Sequence, residues 1–312
     1  MTKNFLFALL FATRVTRLVA WLNRRKVTIL CYHSVTRRWE ATPSDPHKLH
    51  LHIESFISHL DYLQTHHRII SLAEFVRARR DNIKLPARAA ILTFDDGFRN
   101  FLTVVAPILL ARRIPATAFI VTGKNFTRET STLNEQWSSE DDDSYLSWSE
   151  VRQLADHGLE LGSHTCSHYA LPELSLPEAR GELEKSLNAL VTHLGPTNFP
   201  LSYPHGRTSK EVSSLAESLG YSCAVTTSLG QNDLEADLFA LRRTVIASDD
   251  DLPTFAARLS GLTGWYFRIG TLFNTRTTTT PEDAAAICYD PIEEFESGSS
   301  VGRDVLSNFV QR

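Results

Sequence analysis

The chain has 312 residues, 42% of them hydrophobic and 22% charged, enough to bury the core of one large α/β domain or two small ones. A formal net charge of −4 excludes the broadly basic surface expected of a nucleic-acid binder. Cys31, Cys166, Cys223 and Cys288 are scattered, with no C-x-x-C pair, which argues against a disulfide framework and for reduced, mostly buried thiols in a cytoplasmic protein.

Residues 1–26 carry Lys3, Arg14, Arg17, Arg24, Arg25 and Lys26 and no acid. The apolar run Phe5–Ala12 is too short to span a bilayer, which takes roughly 20 apolar residues. Arg14 and Arg17 stand where a signal peptide would place its small-residue cleavage site. Val15, Leu18, Val19 and Leu22 recur at helical spacing, so the segment reads as a basic amphipathic helix. It either lies peripherally on an anionic membrane at the inner face of the cell or packs on the domain that follows.

From residue 27 short apolar runs alternate with amphipathic stretches. The runs are Val27–Tyr32, Ala89–Phe94, Ala116–Val121, Leu159–Gly162, Phe199–Tyr203, Ser222–Thr226 and Phe239–Ile246, each apolar on both faces as buried parallel strands are. Between them Phe56, Leu60 and Leu63, and later Val151, Leu154 and Ala155, mark helices. Ser147-Trp148-Ser149-Glu150 and Thr208-Ser209-Lys210-Glu211 read as capping boxes, and Gly158 and Gly220 as helix stops. Residues 124–146, with Glu140-Asp141-Asp142-Asp143, read as a surface loop. Residues 264–312, with four threonines at Thr277–Thr280, read as a poorly ordered tail. Repeated strand–helix units force parallel strands and right-handed crossovers. The expected fold is therefore α/β: a deformed, incomplete (β/α) barrel of about seven parallel strands over residues 27–263, with its chemistry at the C-terminal strand ends.

Three strand ends carry that chemistry. Ala89–Phe94 runs into Asp95-Asp96-Gly97, two adjacent carboxylates that are costly to keep charged without a cation, although a solvated turn has the same sequence. Leu159–Gly162 runs into Ser163-His164-Thr165-Cys166-Ser167-His168, whose histidines four apart would share one face of a helical turn. One carboxylate and two imidazoles make an open metal site suited to zinc, leaving the second carboxylate as a base. Phe199–Tyr203 runs into Pro204-His205-Gly206, a loop able to present the His205 amide to an oxyanion.

Thr93-Phe94-Asp95-Asp96-Gly97, His164-x-x-x-His168 and Tyr203-Pro204-His205-Gly206, in this order, resemble the motifs of the polysaccharide deacetylases, carbohydrate esterase family four or NodB-homology domain. The resemblance implies a divalent metal, usually Zn2+, held by Asp96, His164 and His168, with Asp95 as catalytic base. It also implies an oxyanion donor at His205 and substrate contacts from Tyr203, Pro204 and Gly206. Two positions depart from the family pattern. Ser202 stands where an arginine usually braces the base, and Arg243 could supply that guanidinium instead. No histidine follows His205, so the late histidine that serves as general acid has no counterpart. Cys31-Tyr32-His33 is similar to the branch that includes the poly-N-acetylglucosamine deacetylases, and it offers His33 as the acid, or as a histidine that merely orders the first loop. The implied substrate is an N-acetylated glycan, an N-acetylglucosamine exopolysaccharide or lipid-linked saccharide. Peptidoglycan, chitooligosaccharides, and a non-catalytic sugar-binding or membrane-scaffold relative are the alternatives.

Overall fold

A computed structural model describes residues 3–37, 49–124 and 144–264. Helices α1 (Lys3–Ala12) and α2 (Val15–Leu22) precede strand β1 (Thr28–Tyr32). A short parallel pair, β2 (Ser34–Thr36) and β3 (His50–His52), comes next, then α3 (Ile53–His66), β4 (Arg68–Ile69), α4 (Leu72–Arg80) and β5 (Ala89–Phe94). A π-helical turn, Phe101–Val105, leads into α5 (Ala106–Arg112), and β6 (Thr117–Ile120) follows. The remaining elements are α6 (Trp148–Asp156), β7 (Glu160–Ser163), α7 (Leu176–Leu194), β8 (Leu201–Ser202), α8 (Lys210–Ser218), β9 (Ala224–Val225), β10 (Thr244–Val245) and α9 (Leu252–Ser260).

All seven predicted runs contain a strand, and they pair in parallel in the order β10-β1-β5-β6-β7-β8-β9. The two-residue β4, too short to read from sequence, joins beside the start of β5. The sheet curls into a deformed, incomplete barrel. Between β9 and β1 only a thin segment intervenes: Leu241 bridges Val225 on one side, and Thr244 and Val245 pair with Leu30 and Cys31 on the other.

Alternation along the strands separates two apolar layers. Leu30, Leu92, Ala118 and Leu161 face outward under α3, α5, α6 and α9. Ile29, Ile91, Phe119, Val225 and Leu241 face inward and pack with Leu72, Phe75 and Val76 of α4. The next inward positions toward the C-terminal ends are polar or reactive: Cys31 and His33 after Ile29, and Thr93 and Asp95 after Ile91. A period of two therefore raises an apolar column at one end of the barrel and a chemical one at the other.

The Ser147 box forms as the pattern expects, with Glu150 reaching back to the Ser147 amide at 2.8 Å. The second box does not. Ser209, not Thr208, takes the extended cap conformation and accepts from the Val212 amide, leaving Glu211 one position too early to reach back. Ser175 and Glu178 form a box on α7 that the sequence reading missed. Gly158 and Gly220 follow the last turns of α6 and α8 at φ +83° and +91°, where a side chain would be strained. Most of the expected 124–146 loop (125–143) and nearly all of the expected 264–312 tail (265–312) lie outside the described residues. At the loop's end Tyr145 bridges Phe98 antiparallel, and the Leu146 amide donates to the Gly97 carbonyl.

The N-terminal segment is two helices rather than one, broken where Arg14 enters the left-handed region at φ 61°. Both pack on α9, with Phe7 and Thr16 buried.

Close packing inside the barrel supplies a test. A methyl added at Gly162 on β7 would lie 2.6 Å from the Phe119 ring and 2.8 Å from the Pro200 carbonyl oxygen. Gly162→Ala is expected to lower the unfolding free energy by about 1–3 kcal/mol. Urea midpoints at unchanged slope measure this, and a variant as stable as the parent would contradict the tight β6–β7 contact.

Candidate active site

The C-terminal strand ends bring the sequence motifs together. Oδ1 of Asp96 lies 3.5 Å from Nε2 of His164 and 3.5 Å from Nε2 of His168, and the two nitrogens are 3.2 Å apart. Three ligand atoms thus converge on one point, one of two groups among the described residues with that capacity. The tautomer of His164 suits the task. Its Nδ1 is 2.8 Å from the Ser202 carbonyl and donates to it, which leaves Nε2 with a lone pair. The donor set fits a divalent cation such as zinc.

The two histidines do not meet on a helical turn as their spacing suggested. Residues 164–168 form a loop with Thr165 at φ 63° and His168 at φ 65°. The loop holds itself through the Thr165 amide donating to Ser163 Oγ and the His168 amide donating to Thr165 Oγ1, both at 3.1 Å. Backbone amides of Thr122 and Gly123, after β6, donate to Thr165 and Cys166 and fasten it from the side. Of eight non-glycine residues with positive φ among the described residues, Asp96, Thr165, His168 and His205 all belong to this site, so strain is concentrated where ligands converge.

Asp95 lies beneath. Arg243 grips it in a fork, with Nη1 donating to Oδ1 at 2.7 Å and Nη2 to Oδ2 at 2.6 Å. Ser202 Oγ donates to Oδ2 at 3.1 Å and Cys31 Sγ at 3.5 Å. Burial alone would raise the Asp95 pKa, but Arg243, seconded by His164 and His33, outweighs it and holds the carboxyl well below the usual carboxylate range. Asp96 is likewise opposed by burial yet pulled down to about 2 by His164, His33 and His168. Burial and the neighbouring His164 push His168 down to about 3, keeping it neutral, as a ligand must be. His164 moves the other way, because Asp95 and Asp96 overcome the effect of its burial.

His33 is 3% exposed, comparable to His164 at 1%, and its ring nitrogen, Cys31 Sγ and an Asp95 oxygen all lie within 4.8 Å of one another. Burial lowers its pKa against the pull of Asp96 and Asp95. The His205 ring, and not only its backbone as the sequence suggested, reaches the site, packing edge-on against His168 at 4.8 Å between centroids. Of the three expected substrate contacts in the third motif, two are buried. Tyr203 is fully buried in the core beneath β8, its hydroxyl donating to the Phe239 carbonyl at 3.0 Å. Pro204 is buried too, and Gly206, at φ +67°, lies against Thr227. Cys31 was overlooked, although it stands two residues before His33 and therefore on the same inward face.

Residues 82–224, which include Asp95, Asp96, His164, His168 and His205 but not His33 or Arg243, match the family model described as polysaccharide deacetylase. YxkH of Bacillus subtilis (strain 168), assigned to the polysaccharide deacetylases, is 24% identical over 247 residues, 78% of this chain and 80% of that protein. The poly-β-1,6-N-acetyl-D-glucosamine N-deacetylase of Staphylococcus epidermidis is 23% identical over 206 residues, 63% of this chain and 68% of that enzyme. Among solved structures, the Streptococcus pyogenes deacetylase PplD in complex with acetate shares the fold, with a TM-score of 0.64 and 24% identity over 75% of this chain and 98% of that one. The matched motifs that fold into this barrel mouth lie in a polysaccharide deacetylase domain, the domain of hydrolases that act on carbon–nitrogen bonds other than peptide bonds.

Proposed function

We propose that the protein removes N-acetyl groups from a glycan built of N-acetylglucosamine, an exopolysaccharide or a lipid-linked saccharide, with a divalent metal, most simply Zn2+, held by Asp96, His164 and His168. The observation that supports this reading is the convergence of Asp96 Oδ1 and two Nε2 atoms within 3.2–3.5 Å, directly above a carboxylate locked by an arginine. The named activity of the staphylococcal relative favours β-1,6-linked N-acetylglucosamine over chitooligosaccharide or peptidoglycan. An inert sugar-binding relative would have no use for a buried, strained ligand cluster.

A bound divalent cation supplies Lewis acidity and acidifies a water to a pKa of about 7, a proton that even a weak base can take. Asp95 is that base. Its fork with Arg243 keeps it ionised and fixes both oxygens, so one can take a proton from a water while the other stays paired. Arg243 acts through Asp95 and is a positioning residue. The His205 loop offers its amide to the oxyanion that forms as the acetamide is attacked. Expelling an amine requires a proton at nitrogen, and His33, buried beside Asp95, delivers it. The edge-on contact of His205 with His168 supports a second reading, in which the His205 ring is the donor.

Zinc-loaded protein offered β-1,6-linked N-acetylglucosamine oligomers, chitooligosaccharides and peptidoglycan fragments should release acetate fastest from the first, and a chelator should stop it. Stoichiometric zinc with no acetate from any of them would favour the inert relative.

The neighbouring carboxylates should separate cleanly. Asp95→Asn is expected to keep its metal and lose most turnover, whereas His164→Ala, His168→Ala and Asp96→Asn weaken the metal itself, since two protein ligands rarely suffice for a hydrolytic zinc. Metal analysis alongside acetate release checks this, and loss of metal from Asp95→Asn alone would exchange the two roles.

Removing the proton donor should be selective for the leaving group. His33→Ala is expected to keep fold and metal but to lose about 10²–10⁴ in amide turnover. Hydrolysis of an aryl acetate should be spared, because a phenolate leaves without a proton. Near-normal amide turnover in His33→Ala, with the loss appearing in His205→Ala, would establish the second reading.

A further inference from the structure

We propose that the outer face of the N-terminal helix pair is a docking surface for an anionic lipid bilayer, with the two helices lying in the interface and not crossing it. This inference does not rest on the deacetylase reading. One side of the pair is committed to the domain: α1 and α2 pack on α9, Phe7 and Thr16 are buried, and Phe11 meets Tyr62 of α3 at 6.1 Å between ring centroids. The other side is apolar and uncovered. Ten large apolar side chains are exposed among the described residues, and five of them (Phe5, Leu9, Leu18, Trp21 and Leu22) fall on these two short helices. A cluster of that kind on one surface marks an interaction site rather than scatter.

Charge complementarity selects the occupant. Arg14, Arg17, Arg25 and Lys26 are exposed around this face, and residues 1–26 contain no acid. A second copy of the chain would bring the same cations against each other, whereas anionic headgroups neutralise them. The Arg24 guanidinium sits 4.4 Å over the Trp21 ring, beside an indole of the kind that settles at headgroup depth. Neither helix is long and apolar enough to cross a membrane, and they meet at 77°, so while docked on α9 they present a bent apolar plane instead of a continuous span. Basic residues edging an apolar helical face give interfacial binding of this type. The face also lies away from the barrel mouth, since α2 leads into the N-terminal end of β1 and His33 follows its C-terminal end.

Full-length protein should co-sediment with phosphatidylcholine vesicles that contain about one third phosphatidylglycerol, bind poorly to pure phosphatidylcholine, and dissociate as salt rises. Leu18→Ser/Trp21→Ser/Leu22→Ser should abolish binding, and Arg14→Gln/Arg17→Gln/Arg25→Gln should weaken it on the order of a hundredfold. Thermal unfolding of both variants should match the parent, and if the apolar variant unfolds, the arginine variant alone carries the test. The proposal is overturned if the parent does not bind, if both variants bind like the parent, or if bound protein resists alkaline carbonate extraction as a spanning segment does. It is equally overturned if the substitutions remove self-association in solution and leave vesicle binding unchanged.

Discussion

Arg243 has no exposed surface, so protein must meet every one of its five N–H donors. It does so across the barrel interior. Nε donates to the Thr226 carbonyl at 2.8 Å, Nη1 to Thr93 Oγ1 at 3.1 Å and Asp95 Oδ1 at 2.7 Å, and Nη2 to Asp95 Oδ2 at 2.6 Å and Ser202 Oγ at 2.9 Å. A single side chain from the thin segment between β9 and β1 therefore ties β5, β8 and the end of β9 together. Taking both charges of such a pair out of water costs several kcal/mol per ion, which only a complete set of hydrogen bonds offsets. Losing one partner would strand the other, a loss of about 3–5 kcal/mol in comparable sites. The position of the Asp95 carboxylate and the closure of the barrel consequently depend on the same contact.

Ser202 shows how that contact became possible. A serine there is small enough to leave room for the guanidinium of Arg243, just before β10, accepts from it, and passes a hydrogen bond on to Asp95. Its carbonyl meanwhile fixes the tautomer of His164. One residue thus links Asp95 to His164. Cys31, at 3.5 Å from Asp95 and with its thiol pKa raised chiefly by burial, contributes as a neutral donor and not as a thiolate.

The strand pattern was legible because buried parallel strands leave a two-faced apolar signature, and all seven runs proved to contain one. The motif residues were legible because their types are unusual at strand ends. Backbone conformation was not. Thr165, His168 and His205 adopt positive φ, a conformation rare for a β-branched threonine and uncommon even for histidine, and tertiary contacts from the loop after β6 hold the histidine loop in place. Helical spacing for His164 and His168 was thus the wrong geometry, although the two rings do meet. The shift from Thr208 to Ser209 has a similar origin, since adjacent hydroxyls can both cap and only the chain's entry angle decides. Tyr203 was read toward substrate because a motif gives order and spacing but not which way a ring turns, and alternation sent this one into the core.

Helix α9 relates the two ends of the molecule. It carries Phe255 and Leu259 into the outer core, and the Leu259 carbonyl accepts from Thr28 Oγ1 at 3.0 Å, where β1 begins. Its other side receives α1 and α2. The N-terminal pair is therefore anchored to the strand end remote from Asp95 and the ligand cluster, with the full length of β1 between them. Substitutions on the exposed apolar face need not disturb the Arg243 network, because they share no hydrogen-bond partner with it. That separation leaves the exposed apolar helix face and the barrel mouth independent of each other, each shaped by its own end of the same parallel strands.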